Sequence, residues 1–109
     1  MAYYLVRAWP RQERLGELHT RLVSGEIRQM QPFGRALEHS LQHARRDRDG
    51  SAVWEEEDYC SPPLAQERAA VLDAYFDDLQ VQPIAAGAGW AAIAQLPSLW
   101  QSAGESDPA

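Results

Sequence analysis

The chain has 109 residues, 45% of them apolar, with a formal charge of -6. That length supports one domain with one core, and that apolar share excludes a disordered chain. All ten basic residues are Arg, there is no Lys and no Asn, and the acidic balance excludes phosphate-backbone binding as the main role, because a polyanion meets a repelling field.

Tyr3 to Trp9 reads as a strand: Tyr, Leu, Val and Trp suit a pleated surface, and Pro10 stops the run. Only Arg7 breaks its apolar character, which places it inside a covered sheet. Gln12 to Val23 reads as a helix with Leu15, Leu18 and Leu22 on one stripe, closed by Ser24-Gly25 with the glycine left-handed. Ile27 to Phe33 alternates and is expected as a second strand, confined to an edge by Pro32. Arg35 to Asp47 is helical by period, with Leu37, Leu41 and Ala44 on one side, and the run to Ser51 is a turn. Within it Arg45, Arg46 and Arg48 alternate with Asp47 and Asp49, which cancel much of the local charge.

Ala52 to Tyr59 is expected as a strand carrying the acidic block Glu55-Glu56-Glu57-Asp58. Ser61-Pro62-Pro63 then opens a helix as cap and first turn, and Val71, Leu72, Tyr75, Phe76 and Leu79 form its apolar face. Gln80 to Ile84 reads as a strand, residues 85–89 as a flexible turn, and Trp90 to Leu96 as a last strand rather than a short helix. Residues 101–109 form a polar tail expected to be disordered. The single cysteine, Cys60, allows no intramolecular disulfide, and the opening MAYYLVRAWPRQER lacks the pattern of a secretory signal. No apolar run approaches the roughly 20 residues that cross a bilayer. A cytoplasmic protein is the expectation.

With the helix from Arg35 treated as an insertion between strands 2 and 3, the order is βαββαβ plus a C-terminal segment, the ferredoxin-like class of α+β folds. Three stretches carry a resemblance over residues 3–84. Ser24-Gly25-Glu26-Ile27 followed by Pro32, then Asp73-Ala74-Tyr75-Phe76, then Val81-Gln82-Pro83-Ile84, are similar to stretches of YciI-like proteins. The resemblance implies a dimeric α+β barrel paired through the open face of the sheet. That family's histidine early in the first helix is matched here by Gln12 or Glu13, with His19 two turns later, so no catalytic residue is carried across. The physics of a one-sided sheet argues for the same homodimer, covered by Trp9, Phe33, Trp54 and Tyr59.

Four features invite a functional reading. His39 and His43, one helical turn apart beside Glu38, suit a divalent metal, though a solvated pair needs no metal. In the acidic block Glu55 and Glu57 point one way, Glu56 and Asp58 the other, and like charges on one face raise each other's pKa. A solvated or ion-paired rim, with Arg7 and Arg35 as neutralising groups, is the plainer alternative. Cys60, just before a helix N-terminus, is expected to have a lowered pKa, yet no base is placed by spacing. Trp54, Trp90 and Trp100 could line an apolar pocket or simply fill the core. Gly87-Ala88-Gly89 lacks the lysine of a phosphate loop. The sequence therefore leads to a small homodimeric domain that binds a ligand or partner, with no cofactor motif. The alternative is a small enzyme using Glu55, Glu57 or Asp58 as base, with Tyr59 orienting the substrate and Cys60 nearby.

Overall fold

In the computed structural model, which describes residues 2–101, the β-forming run at the N-terminus becomes strand β1 (Ala2–Pro10). A 3-10 turn (Gln12–Arg14) leads into helix α1 (Leu15–Ser24), which buries Leu18 and Leu22 and ends on Gly25 at φ 84. Helix α2 (Gly34–Gln42) follows, then the two-residue strand β2 (Arg45–Arg46) and strand β3 (Ala52–Asp58). A helical stretch over 65–75, here α3, runs as α (Ala65–Glu67), π (Arg68–Leu72) and α again (Asp73–Tyr75). Strand β4 (Phe76–Ile84) and the short helix α4 (Ala88–Ala92) complete the elements.

The four strands form one antiparallel sheet in the order β2-β3-β1-β4, an α+β arrangement compatible with a ferredoxin-like fold. β1 is interior, as its apolar run requires. The expected strand over 27–33 does not form. Its backbone closes turns instead, from Gln29 N–H to Gly25 C=O and from Gly34 N–H to Met30 C=O. Gly34 is needed there, since a Cβ would collide with the carbonyls of Ile27 and Arg28. The second helix therefore lies between β1 and β2, not between strands 2 and 3, and the residues expected at its end supply the second strand. Arginines suit that position, because charged side chains discourage pairing at a sheet edge. Trp90 to Leu96 is not a strand either: α4 occupies its start. Of the expected tail, all but Gln101 lies outside the described residues.

Alternation sorts the sheet into two faces. Val6, Ala8, Ala52 and Trp54 join Leu18, Leu22, Leu37, Leu41, Val71, Leu72 and Tyr75 in one core cluster on the helix side. Leu5, Arg7, Val53 and Glu55 face the other way, where the chain after β4 crosses. It continues past α2 and along β2, where Ser98 bridges Arg45 and Leu99 N–H reaches Ala44 C=O. Among the described residues the exposed large apolar side chains are Val23 (71%) and Tyr59 (70%). Trp54 is inside the core and Phe33 packs against it, so neither can cover a second copy. Of the other two residues expected to cover a second copy, Trp9 is half-buried and Tyr59 exposed. No helix among the described residues is long and apolar enough to cross a membrane.

Candidate functional site

The acidic block divides at every residue. Glu55, on the crossing-segment face, is a structural anchor. Its carboxylate accepts N–H groups from Gly87 (2.8 Å), Gly89 (2.9 Å) and Trp90 (3.2 Å), holding the turn that starts α4. Glu57 is half-buried and accepts the Tyr59 hydroxyl. Tyr59 is otherwise out in solvent, and that bond raises its pKa. Glu56 and Asp58 point to the helix side, where Glu67 comes to meet them from α3.

Glu56, Asp58 and Glu67 are all buried. Glu56 receives the Trp54 indole N–H at 3.0 Å through one oxygen, while the other has no hydrogen-bond partner. Asp58 accepts the backbone N–H groups of Leu64 (2.6 Å) and Cys60 (3.1 Å), which folds the turn between β3 and α3 around its carboxylate. Leu64 pays a conformational cost in that turn, at φ 64, a region bulky L-residues avoid. The π turn begins just after Glu67, and such turns recur at functional sites.

The environments push these acids apart. Burial drives Glu56 well above its ordinary range against the pull of the Trp54 N–H, with repulsion from Glu67 and Asp58 adding to it. Burial likewise raises Glu67, with a hydrogen bond to Asp58 adding, to about 7. Burial alone would raise Asp58 too, but hydrogen bonds from Glu67 and from the Leu64 and Cys60 N–H groups outweigh it and leave Asp58 below its usual value. Carboxyls separated in this way can divide the roles of acid and base.

Cys60 Sγ lies 3.8 Å from Glu67. A backbone N–H at Gln66 favours the thiolate, yet burial and the neighbouring Asp58 and Glu67 prevail and the thiol is raised. The lowered pKa expected from a helix N-terminus is thus overturned: α3 starts only at Ala65, and nearby negative charge favours the neutral thiol. Donor atoms of Asp58, Cys60 and Glu67 lie within 4.8 Å of one another, the one such group of three His, Cys, Asp or Glu among the described residues. Two N–H bonds already engage Asp58, and burial with crowded negative charge pushes the Cys60 thiol and Glu67 toward their protonated forms.

A cavity of about 190 Å³ opens beside these acids, between Pro32, Phe33 and Ala36 on one wall and Glu57, Asp58, Tyr59, Cys60, Gln66 and Glu67 on the other. Among the residues singled out in the sequence, Glu57, Asp58, Tyr59 and Cys60 meet here. The sequence reading missed Glu67, and it left Glu56 out of the reactive set.

His39 and His43 lie elsewhere, their rings 4.4 Å apart and both edge-on to Trp90. His43 Nδ1 is taken up by the His39 carbonyl at 2.8 Å, and Glu38 is paired with Arg28 at 2.7 Å. Arg45 borders the same hollow, so the acid expected beside a metal is replaced by a cation. The three tryptophans do not share a pocket: Trp54 is core, Trp90 faces the histidines, and Trp100 donates to Leu41 C=O at 2.7 Å.

No family model, curated protein or solved structure matches this chain. Its chemistry is therefore argued from the site itself.

Proposed function

We propose that this chain is a small acid–base enzyme in which Glu67 exchanges a proton with an organic molecule held in the cavity beside Phe33. Asp58, kept ionised by two backbone N–H groups, is the fixed negative charge, and Glu56 closes the cluster from below. The observation that carries this reading is the meeting of two buried carboxyls, Asp58 and Glu67, at the wall of one cavity, with a third, Glu56, buried against them. Crowded carboxyls cannot all ionise, so one is left poised near neutrality, where proton transfer in both directions is efficient.

The scaffold is read as ferredoxin-like, supported by the strand order and by the packing of α1, α2 and α3 into one core on a single sheet face.

The test is a carbon-13 titration of the Glu67 side chain in the full protein, with a midpoint of about 7 as the expected result. An ordinary midpoint of 4.5 overturns the reading. Small carbon acids in D2O should then take up deuterium with the wild-type protein and not with Glu67→Gln.

A further inference from the structure

Much of the acidic charge elsewhere on the molecule is paired with arginine. The ion pairs among the described residues engage Arg7, Arg11, Arg14, Arg21, Arg28 and Arg68, every one with an acid outside the cluster. Arg45 and Arg46 are turned to the carbonyls of Leu96 and Leu99. Three acids that line one cavity, Glu57, Asp58 and Glu67, are left without an ion pair, as is Glu56 buried against two of them.

A second observation points the same way. The Glu56 oxygen outside the Trp54 bond belongs to a side chain only 1% exposed, which does not itself line the cavity but is buried against two acids that do, Glu67 and Asp58. The other buried carboxyl oxygen without a partner among the described residues is on Glu38, whose carboxylate already holds Arg28. A buried acid with an unused acceptor and no cation lacks a positive partner or a donor.

The opposite wall supplies the rest of the specification. Pro32, Phe33 and Ala36 present apolar surface, and a cavity of about 190 Å³ is somewhat larger than one that admits benzene. Aromatic surface also favours an ammonium group over an anion.

We infer that the cavity takes a small organic cation, a primary amine on an apolar body about the size of one ring, with its ammonium group on Glu57, Asp58 and Glu67 and its body on Phe33. This rests on the reading of that wall as the reactive one, and it names the substrate class.

The full chain is titrated at neutral pH with benzylamine, benzyl alcohol and benzoate, three molecules of one shape and different charge, and followed by amide and side-chain NMR. Benzylamine should shift the signals of Phe33, Ala36 and Tyr59 and bind about tenfold or more tighter than benzyl alcohol, as a charge-assisted bond requires. Benzoate should leave them unmoved. Glu57→Gln, at the half-buried rim where folding is least at risk, should weaken benzylamine severalfold while the spectrum stays folded. Equal binding of benzyl alcohol or benzoate overturns the inference, as does benzylamine leaving Phe33 unmoved. Zinc chloride alone excluding benzylamine at one equivalent also overturns it, since the cation is then a metal. If Glu67 still titrates near neutrality while benzylamine is refused, the substrate class falls and the acid–base reading stands.

Discussion

Glu55 and Glu56 are neighbours in β3 with almost the same burial, 4% and 1% exposed, and opposite circumstances. Glu55 faces the segment that crosses the sheet and collects three backbone N–H groups. Glu56 faces the helices and has one indole N–H, two acidic neighbours and an unused oxygen. Burial does not separate an anchor from a reactive group here. The supply of donors does, because a buried carboxylate is stable only where its lone pairs are met.

The largest effect should come from the satisfied side. Glu55→Ala leaves the N–H groups of Gly87, Gly89 and Trp90 without their acceptor, and should cost about 3 kcal/mol or more in urea unfolding. Amide exchange at those three positions should quicken well before global unfolding. A loss under about 1 kcal/mol would show that water replaces the carboxylate there, and the contrast between the two faces would fail.

The unsatisfied side should respond to pH with the opposite sense. Folded Glu67 keeps its proton up to about 7, against an ordinary 4.5. Between those values the folded chain binds a proton that the unfolded chain has released, so stability is greatest below pH 4.5 and declines as pH rises toward 7. Glu56, raised mainly by burial, adds a decline of the same sign. Surface acids held low by arginine hydrogen bonds, Asp47 by Arg7 and Asp77 by Arg11, act the other way, losing their contribution only as pH falls through the region below 3.8. Those exposed pairs contribute little. Thermal midpoints should therefore fall across the window in wild-type protein and fall less in Glu67→Gln, where the share from buried Glu56 remains. A wild-type midpoint that rises from pH 4.5 to 7 would exclude a shared proton.

Much of this contrast could be read from the residues. Period-two alternation already put Glu56 with Asp58 and Glu55 with Glu57, and β1, α1 and the Gly25 turn followed from local pattern. What alternation lacks is the identity of each face, because the acids end the apolar run and neither half looks buried. Trp54, two before Glu56, marks the core side, and that was the available clue. Glu67 had its own: it lies four before Val71 and eight before Tyr75, on the stripe that packs inward, where an acid is costly. The second strand was not readable. Two arginines carry no period, and the weak alternation of Ile27 to Phe33 pointed to a strand although turns satisfy its backbone.

The smallest expected effect tests whether the two faces are independent. β2 pairs only with Val53 and Ala52, so beyond them the outer edge of β3 depends on α2. There the buried Ser40 hydroxyl donates to the Glu55 carbonyl at 2.8 Å. Ser40→Ala removes one neutral hydrogen bond and should cost about 1 kcal/mol. The affected bond lies on the backbone of the anchor residue and touches none of Glu56, Asp58 or Glu67. Amide protection around Gly89 should drop slightly, while the Glu67 titration stays where it is. A Glu67 midpoint that moves with Ser40→Ala would mean that the strand transmits strain from one face to the other, and that the acid cluster is tuned by the same edge that anchors α4.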